Sequence, residues 1–120
     1  PSVIKRHINS KRDILRIIAS VFDPCGFSAP LTLPTRLLLQ HLWREKVQWD
    51  TPLPQEIHEK WEVCRTLLLA VPHVSLPRYH FPELRSSSQQ TIFELHCFTD
   101  ASMDAYVSVI YLRASSPDGN

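Results

Sequence analysis

Glycine is nearly absent, with two in 120 residues against ten prolines. The motifs that need glycines at fixed spacing, the P-loop, the dinucleotide-binding fingerprint and the nucleophile elbow of serine hydrolases, have no match. Cysteine is scarce as well. Cys25, Cys64 and Cys97 are odd in number and widely spaced, unlike the even framework of a small secreted domain, so a reducing compartment is expected. Neither these nor the six histidines stand at zinc-ligand spacing. The one adjacent pair, His96 and Cys97, would face opposite sides of a strand. No apolar run approaches the roughly 18 residues of a membrane span, and no charged, apolar, then small-residue leader opens the chain. The expectation is a soluble intracellular chain with no membrane partner. A polar start without an initiator methionine further predicts a piece of something longer.

A strong charge is missing too: the formal net charge is +1. Its distribution says more, because residues 1–50 carry eight Lys/Arg against four Asp/Glu and residues 51–120 carry five against eight. A basic front precedes an acidic back. At this length, 43% hydrophobic residues suffice for one modest core.

Three helices and a hairpin are predicted. Ser10 as N-cap with Asp13 three residues on begins a first helix, whose apolar residues Ile14, Leu15, Ile18, Val21 and Phe22 recur at helical spacing. Asp23-Pro24-Cys25-Gly26 ends it in a turn. Thr32 then caps a second helix with Pro34 in its first turn, running to about Trp49. Its apolar stripe is Leu37, Leu38, Leu42, Trp43 and Val47, with Arg36, Gln40, Arg44 and Lys46 left for other faces. A stiff connector, residues 50–54, leads to a third helix with Glu56, Glu59 and Glu62 near its start, where carboxylates suit the helix dipole. Its stripe, Ile57, Trp61, Cys64, Leu68 and Val71, is the cleanest in the chain.

Pro72 closes that helix, and Val74 to Arg78 reads as a short extended piece. A polar loop over Ser86 to Gln90 marks the boundary between residues 1–85, a helical region, and residues 91–120, a hairpin unit. The hairpin strands are Thr91 to Thr99 and Ala105 to Arg113, joined across Asp100 to Asp104, with a loose tail after them.

Few residues carry a chemical argument. Asp100 stands at a strand end, where a carboxylate is placed to hold a divalent cation, although aspartates also start turns by bonding their own backbone. Arg12 and Arg16 lie one helical turn apart in a basic entry with Lys5, Arg6 and Lys11, a face suited to phosphates. The three tryptophans read as packing anchors.

The run from Lys11-Arg12-Asp13-Ile14-Leu15 through Ile18-Ala19-Ser20-Val21-Phe22-Asp23-Pro24-Cys25-Gly26-Phe27, then Ala29-Pro30, resembles the Pao retrotransposon peptidase family of BEL/Pao elements. Leu42-Trp43-Arg44-Glu45, Trp49-Asp50, Leu53-Pro54 and Leu76-Pro77-Arg78 continue the resemblance in order, as does Glu94-Leu95-His96-Cys97-Phe98-Thr99-Asp100-Ala101-Ser102. Cys25 and Val107 depart from it, standing where the family usually has an aliphatic residue and a glycine.

The resemblance implies an α+β segment of a Pol polyprotein, a three-helix connector after the reverse transcriptase and then the opening antiparallel hairpin of an RNase H-like fold. Its implied partners are the rest of Pol and an RNA–DNA hybrid or primer-template, in a cytoplasmic element particle or in the nucleus. Asp100 becomes the first acidic metal ligand of a nuclease, with Mg2+ expected only in a complete RNase H domain and no cofactor in the fragment itself. Arg12 and Arg16 become phosphate contacts. The family name also implies an aspartic peptidase acting in polyprotein processing, for which a dimer would bring together two copies of Asp100. The Tyr-x-Asp-Asp turn of a polymerase is absent.

Overall fold

A computed structural model of the chain describes residue 4, residues 7–78, residue 81 and residues 91–115. Three helices come first, α1 (Lys11–Ala19), α2 (Ala29–Arg44) and α3 (Gln55–Ala70), and a short 3-10 turn, Val71–His73, extends α3. Two antiparallel strands follow, β1 (Ile92–Ala101) and β2 (Tyr106–Ser115). This is the expected α+β order. The chain divides into two compact units, Pro1–Ser75 and Leu76–Asn120. The polar loop at Ser86 to Gln90, expected as the boundary, lies outside the described residues, as does the tail beyond Ser115.

In the helical unit, α1 starts where its cap predicts. The Asp13 carboxylate reaches back to accept the Asn9 and Ser10 backbone N–H groups, each at 3.1 Å, and the Ser10 hydroxyl at 2.9 Å. Amide groups that no helical carbonyl can reach are thereby satisfied. Burial alone would push the Asp13 carboxyl up, but these hydrogen bonds outweigh it and hold its pKa below the ordinary value.

The end of α1 corrects the sequence expectation. The helix stops at Ala19, and Phe22, expected on the apolar stripe, is 90% exposed. After it, the Asp23 carboxylate accepts the Ser28 N–H at 2.7 Å and Gly26 takes φ +75°, folding the chain into a turn that leads directly into α2. That turn also moves the start of α2. Ser28, not Thr32, is the N-cap residue, Pro30 occupies the first turn, and Pro34 lies one turn deeper.

α2 ends at Arg44, five residues before the expected Trp49. Lys46 adopts a left-handed conformation, φ 53°, so that its N–H reaches the Trp43 carbonyl at 3.0 Å and the Val47 N–H reaches the Leu42 carbonyl at 3.1 Å. This is a Schellman stop with lysine where glycine usually sits, closed by the apolar Val47 folding back toward Leu42.

The core of this unit is one cluster built from Ile8, Ile14, Ile17, Leu38, Leu42, Leu53 and the inner face of α3. Four of the five stripe residues predicted for α3, Ile57, Trp61, Cys64 and Leu68, are buried at 4% exposure or less. α2 packs on both α1 and α3. Its buried face includes Thr32 and Thr35 beside Leu38 and Leu42, while Trp43 turns outward. Thr35 Oγ1 has no partner of ordinary hydrogen-bond geometry, and the neighbouring Cys64 thiol offers only a weak one.

In the second unit the strands pair in uninterrupted register from Ile92 with Ser115 to Ala101 with Tyr106. The turn is Ser102 to Ala105, two residues later than expected, with the Ser102 N–H donating to the Ala105 carbonyl at 2.8 Å. The Ser102 hydroxyl oxygen accepts the Asp104 and Ala105 N–H groups, each at 3.2 Å, a local closure that needs no glycine.

Candidate functional site

Side chains alternate across a strand, so the register assigns each hairpin residue to a face. One face holds Phe93, Leu95 and Cys97 of β1 opposite Ala114, Leu112 and Ile110 of β2. It is an apolar surface, and its large side chains are exposed, Leu95 to 73% and Ile110 to 64%. The other face is mixed. There Glu94 meets Arg113 at 3.3 Å and His96 at 3.7 Å, and Phe98 stacks edge-on with Tyr111 at 5.7 Å between ring centres.

Asp100 belongs to this mixed face. It lies within β1, opposite Val107 and one residue before the strand ends, not in the turn. Its Oδ1 accepts the N–H of Ala101 at 2.8 Å, and the side chain is otherwise open to solvent. The strand end thus presents one carboxylate on the side of the sheet that carries polar groups.

A divalent cation needs several oxygen ligands around one point. Glu94 shares the Asp100 face but is six residues away, about 20 Å along a strand. Among the described residues no three His, Cys, Asp or Glu side chains converge on a point that could hold a metal. The described residues therefore do not by themselves make a metal site.

The basic entry looks different once folded. Lys11 is buried to 3% exposure, its ammonium donating to the Val47 carbonyl and lying 4.0 Å from the centre of the Trp43 ring and 4.7 Å from that of Trp49. Arg12 forms a two-pronged pair with Asp50, at 2.7 and 2.8 Å. The bonds from Arg12 hold the Asp50 carboxyl below its usual range, and the same partner raises the Arg12 guanidinium above its own. Arg16 stays 69% exposed, 3.8 Å from Asp13. Lys11 and Arg12 thus tie α1 to the segment after α2, and Arg16 is the cation of this group left most open. Lys5 and Arg6 lie outside the described residues.

Two other features were not anticipated. His7 and His58 lie 5.7 Å apart between ring centres beside Gln55, Glu59 and Glu62, a polar recess in which no three ligands converge on a point among the described residues. An open groove between α2 and α3 is lined mainly by apolar side chains, Pro34, Leu37, Leu38 and Val63, with Cys64, His41 and Lys60 also on its wall. No described helix is long and apolar enough to cross a membrane.

A family model described as Pao retrotransposon-like RNaseH-like domain matches residues 10–120, spanning the helices and the hairpin alike. Comparison with curated proteins and with solved structures gives no match. The agreement extends over nearly the whole chain and includes the strand that carries Asp100. The chain belongs to the Pao retrotransposon-like RNaseH-like domain family.

Proposed function

We propose that the chain is a segment of a retrotransposon Pol polyprotein in which the helical unit braces the reverse transcriptase and RNase H modules along a primer-template. In this proposal the hairpin opens the RNase H-type sheet and Asp100 is one acid of its site. The observation that carries it is the exposed apolar patch on one face of the hairpin, with Asp100 on the other. A two-stranded hairpin is marginal alone in water, and an apolar surface the size of the Phe93, Leu95, Ile110 and Leu112 face belongs against other structure. With that face covered, the mixed face keeps Asp100 open at the strand end. Any further acids come from outside the described residues. Of the two arginines, Arg16 is available to a phosphate, while Arg12 would have to leave Asp50 to reach one.

An aspartic peptidase built from two copies of Asp100 finds no observation in its favour. Such a site needs two carboxylates sharing a proton on glycine-lined loops. Asp100 is instead a paired strand residue with no glycine near it.

Two measurements test the proposal. In the polyprotein that carries this chain, Asp100→Asn should abolish cleavage of an RNA–DNA hybrid while hybrid binding persists. Cleavage at the parent rate would remove Asp100 from the site. The 120-residue chain should bind such a hybrid with an affinity that falls steeply with salt, and binding indifferent to salt would overturn the bracing role.

A further inference from the structure

The outer face of α2 is unlike the rest of the helical unit. The 16 residues of α2 include no Asp or Glu. Leu33, Arg36, Gln40, Trp43 and Arg44 are all exposed and fall within an arc of about 100° at 3.6 residues per turn. Thr35, Leu38 and Leu42 are buried on the opposite side. Lys46, exposed just past the helix end, extends the strip.

The pairing of charges singles out the same strip. Arg12, Arg16, Lys60 and Arg65 each lie within 4 Å of a carboxylate, and Lys11 is enclosed by carbonyl and indole groups. Arg36, Arg44 and Lys46 have no carboxylate partner among the described residues; even Glu45, between the last two, pairs with neither. Cations near a helix C-terminus complement its dipole, which accounts for Arg44. It does not account for Arg36, two turns earlier.

Nor does packing account for Trp43. Its indole is 52% exposed, whereas Trp61 is 2% exposed. The Lys11 ammonium covers one side of the Trp43 ring, and Trp49 meets it edge-on at 5.0 Å and 88°. These contacts fix the ring's orientation and leave half of its surface open on the same helix face as Arg36 and Arg44, cations with no carboxylate partner among the described residues. An aromatic platform flanked by unpaired guanidinium groups matches the chemistry of an unpaired nucleotide strand, whose phosphates seek cations and whose bases stack on aromatic rings. Bases in a duplex are already stacked on their neighbours and cannot use the platform.

We propose that the outer face of α2 binds single-stranded nucleic acid, with Arg36, Arg44 and Lys46 on phosphates of one strand and Trp43 stacked on a base. Arg36 and Arg44 are about 12 Å apart along the helix. The proposal rests on the reading that the chain works along a primer-template, and it adds where an unpaired strand is held.

The test uses the 120-residue chain and a fluorescently labelled oligothymidylate, with anisotropy recorded over a salt series. Three phosphate contacts predict a slope of log affinity against log salt of about −2. Arg36→Gln with Arg44→Gln should reduce it to about −0.7. Trp43→Leu should weaken binding about tenfold with the slope unchanged, and Trp43→Phe should recover most of the loss. Melting temperature, followed for each variant, separates lost folding from lost contact. The proposal is overturned if the double variant keeps the parent slope, or if a duplex binds as tightly as the strand. It is equally overturned if poly-glutamate binds as tightly as oligothymidylate and Trp43→Leu changes neither, which would make the strip a dock for an acidic protein. Hybrid cleavage that survives Asp100→Asn would instead count against the reading of the hairpin and leave the α2 result standing.

Discussion

Replacing Lys46 by glycine should make the protein more stable and its binding weaker, opposite signs from one side chain. The stabilising part comes from the backbone. An L-residue in the left-handed region suffers a contact between Cβ and the following carbonyl oxygen worth about 1–2 kcal/mol, and Lys46 sits there at φ 53°. Glycine removes the contact but loses about 0.5–1 kcal/mol more backbone entropy on folding. The ranges subtract to a net gain of about 0–1.5 kcal/mol, centred at ~0.75 kcal/mol. For a unit of this size the central value corresponds to a rise in Tm of about 3–6 °C. The weakening comes from the lost ammonium, which should lower the salt slope for a single strand by about 0.7. Lys46→Ala separates the two, since it removes the charge and keeps the Cβ, so it should weaken binding equally with Tm nearly unchanged. All three tryptophans lie in the helical unit, so thermal unfolding followed by their fluorescence reads the affected unit. A fall in Tm for Lys46→Gly, or an equal rise for Lys46→Ala, would refute the assignment of strain to this residue.

Other expectations follow from the same geometry. Asp13→Ala removes the acceptor of two backbone N–H groups and the Ser10 hydroxyl and should cost about 1–2 kcal/mol in urea unfolding. Because the folded Asp13 carboxyl titrates below its unfolded value, its stabilisation is complete above the unfolded pKa and fades as pH falls through the folded one. The parent should therefore lose more stability than Asp13→Asn between about pH 5 and about pH 3, and parallel losses would contradict this. Leu68→Ala empties a fully buried site and should cost about 2–5 kcal/mol; a smaller loss would mean that the cluster closes over the gap. Cys25 and Cys97 should react with a thiol reagent in the folded protein, while Cys64, whose pKa burial pushes up, should wait for unfolding. Equal rates for Cys64 and Cys25 would place Cys64 at the surface. Leu95→Lys with Leu112→Lys, a directly paired couple on the apolar face, should reduce binding of a hydrophobic dye, and unchanged dye binding would show that face to be covered already.

Much of the architecture was legible in the residues because local rules and tertiary packing agree there. The steps of four, three and four from Ile57 through Trp61 and Cys64 to Leu68 name residues that are all buried. The Ser10 and Asp13 pair places the start of α1, and both strands lie within two residues of expectation. The errors share a cause. Apolar spacing continues past both helix ends, which predicts α1 through Phe22 and α2 through Trp49, whereas the helices stop at Ala19 and Arg44. What stops α1 is a turn built on Asp23 and Gly26. What stops α2 is a left-handed lysine held by the Val47 fold-back and by Lys11 reaching the Val47 carbonyl from another helix. No glycine stands at that stop to announce it.

The candidate surfaces were legible to different degrees. Asp100 is visible from its place at a strand end, but its assignment to the mixed face requires the register of ten paired residues. Arg12 and Arg16 were visible as neighbours on a helix, whereas the Asp50 carboxylate that occupies Arg12 is 38 residues away in sequence. Trp43 fitted an apolar stripe on paper. In the fold it is half exposed, with the Lys11 ammonium of α1 against its ring.

The sequence by itself determined the class of fold, three helices and a hairpin, and the family, because capping, periodicity and ordered motifs act over a few residues at a time. Tertiary structure alone decided which charges are neutralised and which remain free. An ion pair depends on a meeting between distant segments: Lys11 and Arg12 are claimed by the stretch after α2, and Arg36, Arg44 and Lys46 share with Trp43 a face on which no described carboxylate pairs with them.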